Sequence, residues 1–516
     1  RTPERPMTTT EPGRMYRNLH HREGAGWLAG LSTGQAVVVG AACVPVVVAV
    51  GAGRWSAAFG WLLVAAGVWV LVTVPIRGRP ALFWLVDLCM FTAGGVVMGW
   101  AAWQSKAAAG RADDPDAPDL PGVLARFRFH DGPPLADQRL CLIQDSVDGR
   151  WAITGRLTHS GVAMASAGES EGLAAQLGTM LIGVAHREVI DRVSLLVRTV
   201  PDDGTDYALW REQHEVDDAP ELTRQIAAEI DRTVAAASVR TELFVTVCGT
   251  EHSLRRAAKA AGGGVAGRAY ALYRVLDGVA DALRGIGVTE VTWLSSAGVA
   301  EAVRTGFNPA AAAHLRHQQL TRPDRAGHLS WSMAGPVLAP TPAARHYAHD
   351  GFATVAYAVQ PPVGGTSFGS LGPLLAVRRA GERRSLQIHY EVLDPSHARR
   401  HVARTRFRDT LIADLKATRG FGTTVEDQQR HAGGHAHEAA VAAGHALVRY
   451  TIAAATTVPS DWADWGIEDA AAGIENDAAD RFGLLRLELT QDAAFAAACL
   501  PVGYGLPGLP NRRWQR

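Results

Sequence analysis

Gln35 to Gly53 reads QAVVVGAACVPVVVAVGAG, and Ala57 to Pro75 reads AAFGWLLVAAGVWVLVTVP. Neither run carries a charge. Each is close to the ~20 residues that a helix needs to cross the hydrocarbon core of a bilayer. Only Arg54, Trp55 and Ser56 separate them, so the spacing predicts a tight helical hairpin with spans at about 35–53 and 57–75. A helix buried in a soluble protein keeps a polar stripe, and neither run has one.

A third apolar segment, Ala81 to Trp103 (ALFWLVDLCMFTAGGVVMGWAAW), follows at once. It is long enough to span but holds Asp87, and a carboxylate in lipid is turned to protein or water. Gly95 and Gly99 form a GxxxG pair that lets helices approach closely. Trp84, Trp100 and Trp103 stand near its ends, where interfacial anchors sit. Two placements fit: a third span, or a segment packed against the hairpin at the inner interface. Arg14, Arg17 and Arg22 before the hairpin and Arg77 and Arg79 after it predict that both its ends stay in the cytoplasm. Lys106 and Arg111 pull the following chain the same way. The expected arrangement is a multi-pass protein of the inner (cytoplasmic) membrane with a cytoplasmic body and an N-terminal cytoplasmic tail, residues 1–30. No cleavage site follows Pro75, so no signal peptide is expected. Met7 or Met15 is the expected start.

The composition fits a membrane region on a large soluble body. The chain has 516 residues, with 51 basic and 51 acidic, so the net charge is zero. Non-specific DNA binding needs a clustered positive excess, and direct sequence-specific nucleic-acid binding is not expected. Lysine stands only at 106, 259 and 416; arginine supplies the remaining basic residues. The five cysteines are far apart, with Cys43 and Cys89 in apolar runs, so neither a zinc ribbon nor a disulfide framework is indicated. After the membrane region, 31–106, comes an Ala-, Asp- and Pro-rich linker at 107–120, expected to be exposed and mobile.

Beyond the linker, strand and helix patterns alternate. Trp151–Leu157, Leu195–Val200, Glu242–Cys248 and Thr289–Leu294 read as strands. Glu171–Ala185 and Val265–Arg284 read as helices. Ala219–Ala236 is amphipathic, with Leu222, Ile226, Ile230 and Val234 on one face. These make a first α/β domain at 121–320. After the Pro-punctuated stretch 321–342, a second α+β domain is expected at 343–508. Its strands are Phe352–Tyr357, Ser385–Leu393, Leu447–Val458 and Leu484–Leu489. Pro395–Thr418 reads as a helix with an Arg-rich exposed face. Ser460 and Thr490 are the expected caps of two further helices. The fold class is therefore α/β or α+β with ferredoxin-like units, preceded by a transmembrane helical hairpin.

No catalytic engine is legible. A nucleotide-binding loop needs GxxxxGK[ST]; Gly262, Gly263 and Gly264 follow Lys259, and the run Gly364, Gly365, Gly369 and Gly372 has no lysine. Both read as turns. His431, His435, His437 and His445 form the densest set of metal-ligating residue types. His431 and His435 share a helical face, but His437 does not join them, and HEAAVAAGH is not HExxH. His435-Ala436-His437 mimics the His-hydrophobe-His of DNA-nicking relaxases, without their strand. The reading is a solvated loop, so no catalytic, cofactor or metal residue is assigned and no cofactor is expected.

Several longer stretches carry a resemblance. They are RTVPDDG (Arg198–Gly204), ASVRTELFVTV (Ala237–Val247), RTGFNPAAA (Arg304–Ala312) and AGPVLAPTPAARHYAHDGFATVAYAV (Ala334–Val359). With ERRSLQIHYEVLDP (Glu382–Pro395) and LTQDAAFAAACLPVGYGLP (Leu489–Pro507), they resemble an actinobacterial family of membrane proteins from integrative conjugative elements. The first hairpin looks like a PrgI-like membrane anchor. The soluble part looks like the N-terminal domain of the type IV secretion ATPase, with Phe495–Gly503 (FAAACLPVG) matching its ending. The resemblance implies a non-catalytic scaffold of a conjugative, type IV secretion-like DNA-transfer apparatus. It would dock a conjugation-type ATPase and other membrane subunits, contact membrane lipid, and act as an oligomer within a larger complex. The alternative is an EccE-like component of type VII secretion, which also joins two N-terminal spans to an α/β body. A third class, a membrane-tethered hydrolase or relaxase, has the missing nucleotide loop and the poor histidine geometry against it.

Overall fold

In a computed structural model of the chain, the described residues run from 33 to 505. They exclude 77–78, 98–101, 162–165, 202–209, 212–213, 231–238, 322–328, 363–364, 394–397, 399–438, 462–465 and isolated positions. The chain forms two compact units, one with the N-terminal apolar helices and one with the sheet-bearing body.

The apolar unit begins with α1 (Thr33–Gly51) and α2 (Trp55–Thr73). The reversal between them is closed by Gly53 at φ 69°, a left-handed conformation that glycine adopts without strain. Arg54 N then donates to Ala49 O at 2.9 Å. On α2 the buried positions are Ala58, Ala65 and Val72. That sevenfold spacing makes one narrow seam, and its small residues let α1 lie close. The rest of α2 is apolar and exposed, as at Trp55, Phe59 and Leu63. Helix α2 is the one helix among the described residues that is long and apolar enough to cross a membrane, and 17% of it is buried. Val37–Gly51 and Ala81–Gly94 are shorter apolar helices by the same measure.

A short ladder of β1 (Pro75–Ile76) with β2 (Arg79–Pro80) leads into α3 (Ala81–Phe91). A π-helical turn at Thr92–Val97 ends it. Trp84 Nε1 donates to Ile76 O at 3.0 Å, and Asp87 is half-buried. Gly99 and Trp100 lie outside the described residues.

The linker is largely exposed, but both its ends are tied to the body. β3 (Trp103–Gln104) forms a ladder with β10 (Leu338–Ala339). Asp119 is buried and accepts from Lys106 N at 2.6 Å.

The body is mixed helix and sheet, α+β in class. In chain order it holds β4 (Phe127–Leu135), β5 (Gln138–Asp145), β6 (Arg150–His159), α4 (Ala167–Ala185), β7 (Arg192–Pro201) and α5 (Glu221–Ile230). Then come β8 (Val239–Thr250), α6 (Glu251–Ala260), α7 (Gly264–Gly285), β9 (Val288–Trp293), α8 (Ser296–Phe307) and α9 (Ala311–Thr321). After β10 follow β11 (Tyr347–His349), β12 (Phe352–Gln360), β13 (Arg383–Val392), β14 (Val448–Pro459), α10 (Ile467–Ala478), β15 (Gly483–Arg486) and α11 (Gln491–Cys499).

Eleven of these strands make one antiparallel sheet, in the order β11-β12-β14-β13-β7-β8-β6-β5-β4, with β15 also on β12 and β9 also on β6. The expected domains at 121–320 and 343–508 thus contribute to one sheet, joined where β7 pairs β13 from Arg192↔Glu391 to Thr199↔Arg384. The first half lays its strands β9-β6-β8-β7; the second lays β15-β12-β14-β13. Each half also has a hairpin partner, β5 or β11, on the outer edge of its first strand. The two seam strands share a wording, Arg192-Val193-Ser194-Leu195 and Arg383-Arg384-Ser385-Leu386. Aligned on it, Leu196 corresponds to Gln387, and these two residues face each other directly in the ladder. Counted outward from that pair, the two halves therefore lay their strands in the same order.

Alternation along the strands sorts the core into layers. Trp151, Ile153, Val245 and Val247 join Leu272 and Leu276 of α7 and Met180 of α4 on one face. On the same side of the second half, Val355, Tyr357 and Ala454 pack with Ala471 and Ile474 of α10. Ala152, Phe244, Cys248, Ala356 and Ala455 face the other way, into a cluster with Val299, Val303 and Phe307 of α8 and Phe495 of α11. Three caps match the residue types at the helix starts. Ser166 forms a capping box with Glu169 on α4, Thr250 caps α6, and Ser295 caps α8. Two expected caps do not. Helix α10 starts at Gly466–Ile467 rather than at Ser460, and Thr490 stands before α11 but makes no side-chain cap bond.

Candidate functional site

The densest chemistry in the body lies along the seam, on the face covered by α8 and α11. Period-2 alternation sends Arg192, Ser194 and Arg198 of β7 and Arg383, Ser385, Gln387 and His389 of β13 to that face, and all are buried. Arg383 donates to Thr305 O at 2.8 Å and Gly306 O at 2.7 Å, the last carbonyls of α8. Arg192 donates to Gly503 O at 3.3 Å, just past α11. Each half therefore sends one arginine to the end of the other half's helix. Arg198 reaches both helices, at Ala302 O (3.0 Å) and Cys499 O (3.4 Å), and its Nε donates to Glu242 at 3.0 Å. Cationic groups at helix C-termini meet the negative end of the helix dipole, which lets these charges stay buried.

A directed hydrogen-bond chain runs from Arg383. It donates to Thr457 Oγ1 (3.1 Å), Thr457 to Thr354 Oγ1 (2.8 Å), and Thr354 to His349 Nε2 (2.8 Å). His349 Nδ1 completes the chain by donating to Phe307 O at 2.5 Å. That order needs a neutral ring. Burial, and then the Arg383 charge, push His349 down to about 3. His389 is held alike: Ser194 Oγ donates to Nδ1 at 2.7 Å, and Nε2 faces Ala497 O at 3.4 Å. Burial and then Arg192 take it down to about 3 as well. Burial also lowers Arg383 to about 10. Glu242 is raised by burial but brought below the carboxylate range by Arg198, Arg240 and Arg156. At one end of the seam, Arg150 bridges Asp191 (2.8 Å) and Glu391 (2.7 Å).

Ser194 and His389 have the contact of a nucleophile and its base. Here the serine, the histidine and the carbonyl that takes its other nitrogen are all sealed under α11, so the pair holds strand to helix. Cys248, at about 11, and Cys499 are raised by burial, which keeps them as thiols.

The sequence-level candidates lie elsewhere. His431, His435 and His437 fall outside the described residues, and His445 is exposed. Among the described residues no group of three or more metal-ligating side chains comes together. Gly262, Gly263 and Gly264, at φ 93°, 73° and 64°, form the turn between α6 and α7, with Gly263 N donating to Ala258 O at 2.8 Å. Gly369 lies in a turn at φ 80°. A shallow apolar groove of about 230 Å³ lies between α4 and α7, lined by Met180, Val184, Val279 and Ala282 with Arg187 at its side. Sequence reasoning missed the seam; the repeated R-x-S-L on two strands was the signal that marks it. No protein-family model matches this chain, and no curated protein shows significant similarity to it.

Proposed function

We propose that the chain is a non-catalytic membrane scaffold, an inner-membrane component of a conjugative, type IV secretion-like DNA-transfer apparatus that docks a transfer ATPase. The observation that carries the reading is α2. It is long enough to cross a membrane, apolar and largely exposed, in a chain whose body buries its charges against its own carbonyls and carboxylates. Such a body is a rigid platform, and the sequence resemblance supplies the kind of partner. In this reading α1 and α2 both cross as a hairpin, and the body lies in the cytoplasm, where an ATPase can meet it. Each half is read as a ferredoxin-like unit. Strand, crossover, strand, excursion, strand, helix, strand, laid down in the order fourth-first-third-second, supports that assignment.

The test is purification of the tagged full chain, in mild detergent, from carbonate-washed membranes of its host, with partners identified by mass spectrometry. Recovery of a secretion ATPase with other channel subunits is the expected result. Recovery with small WxG-type substrates would replace the reading with the type VII alternative. A chain found only in the soluble fraction would remove the membrane scaffold altogether.

A further inference from the structure

Most large apolar side chains of the body are buried, but three that are not stand on one short stretch. Met333 is 57% exposed, Val337 46% and Leu338 56%, while Trp331, Ala334 and Ala339 beside them are buried in the cluster with α8. The stretch is firmly held. Asp350, whose side chain is 3% exposed, accepts from Val337 N at 2.6 Å and from Leu338 N at 3.0 Å, and Arg304 pairs with its carboxylate at 2.6 Å. Ser105 ties the two ends together: its N donates to Val337 O at 3.0 Å and its Oγ to Ser332 O at 3.4 Å. A rigid frame that holds neighbouring apolar groups out in water marks a contact surface.

The covalent chain says what covers it. Leu338 is the ladder partner of Gln104 on β3, so the two side chains share a face, and Gln104 is exposed. Trp103, beside it, closes the apolar segment 81–103. Val97, the last described residue of the apolar unit, stands six residues before Trp103, and six residues of chain reach at most about 22 Å. A third span and a segment packed at the inner interface both leave the end of that segment at a membrane surface. The patch is therefore tethered close to lipid. Charge adds little to the attraction: Lys106 is exposed just beyond β3, but so are Asp114 and Asp116 of the linker.

We propose that Met333, Val337 and Leu338 form a membrane-contact surface, which seats this corner of the body in the headgroup layer of the bilayer that the apolar helices enter. The inference rests on the membrane part of the reading above, and not on which machine the scaffold serves. A body attached both through β3 and through this patch cannot swing freely on its linker.

The experiment uses the full chain, with Cys43 and Cys89 replaced by Ser, in nanodiscs of phosphatidylcholine and phosphatidylglycerol. An environment-sensitive fluorophore is placed on Gln104→Cys or, as the control, on Ala175→Cys of α4, exposed on the opposite face of the sheet. Lipid carrying a nitroxide near its headgroup should quench the label at 104 several-fold more than the label at 175. Met333→Asp with Leu338→Asp should lower the quenching at 104 several-fold without shifting thermal unfolding, because exposed positions contribute little to stability. Salt at ~0.5 M should leave the quenching unchanged, since an apolar contact is not screened. Equal quenching at 104 and 175, or quenching at 104 that survives the double substitution or is lost in salt, would overturn the proposal while the chain still sits in its nanodisc. A label at 104 shielded from both the lipid nitroxide and aqueous iodide would put protein on the patch and overturn it too. A chain that does not enter nanodiscs would remove the membrane reading and this proposal with it.

Discussion

Arg383 shows how much one side chain carries in this fold. It is 1% exposed and satisfies two α8 carbonyls and Thr457. Arg383→Met keeps the volume but strands those acceptors, so the body should lose about 3 kcal/mol, read as a lower urea midpoint at unchanged slope. The two buried histidines give a pH dependence. Their folded pKa of about 3 lies below the unfolded value near 6.5, so the unfolded chain binds more protons between those limits. Stability is therefore full above the unfolded pKa and is lost as pH falls toward 3. At pH 5 each ring costs about 2 kcal/mol relative to pH 8. Urea unfolding at the two pH values should show the sum, and His389→Gln should remove about half of it. Neither residue was legible as important in the sequence. His389 lies on a strand paired with Ser194, nearly two hundred positions away, and His349, though in a local hairpin with Phe352, is buried by Phe307 and Thr354 from other elements, so no local pattern encodes either.

At the scale of elements, periodicity located most of the structure. The amphipathic pattern at 219–236 has its described helical part at Glu221–Ile230, although its apolar face is turned outward. Strands β6, β8, β9, β12 and β14 fall on the expected runs because β-branched and aromatic residues are dense there. Helix α8 was not foreseen. Its Ala- and Gly-rich sequence has no strong stripe, and it is helical because Ala300, Ala302 and Val303 pack closely into the layer under the sheet. The stretch Pro395–Thr418 lies almost wholly outside the described residues. Close helix packing also makes a testable point at Gly267 of α7, where a Cβ would run into the backbone carbonyl of Ala258 at the α6–α7 turn. Gly267→Ala should cost about 2 kcal/mol, since backbone on both sides cannot give way as a side chain could. The thermal midpoint of the body against that of an exposed control such as Gly172→Ala measures it.

For the whole molecule, the sequence located the apolar helices near the N-terminus and the strands of the body, but not that those strands form one sheet. The Pro-rich stretch 321–342 suggested a domain boundary, whereas the strands on either side of it meet in one ladder. The proposed cytoplasmic placement of the body is checked by single cysteines at Ser56 and Ser146, both exposed, with Cys43 and Cys89 replaced by Ser. A membrane-impermeant thiol reagent on intact cells should label position 56 and reach position 146 only after lysis. Labelling of 146 in intact cells would put the body outside and end the ATPase-docking proposal. The seam has one more consequence, for synthesis on the ribosome. The inner edge of the first half is complete once β8 has emerged, yet its neighbour β13 begins only at Arg383. At ordinary elongation rates, the wait from the end of β7 to the start of β13 lasts roughly 10–40 s. During that time β7 offers an unpaired row of backbone donors and acceptors, which neighbouring nascent chains can pair with. Fragments ending near Thr321 should accordingly aggregate, and the second half acts in cis as the chaperone of the first.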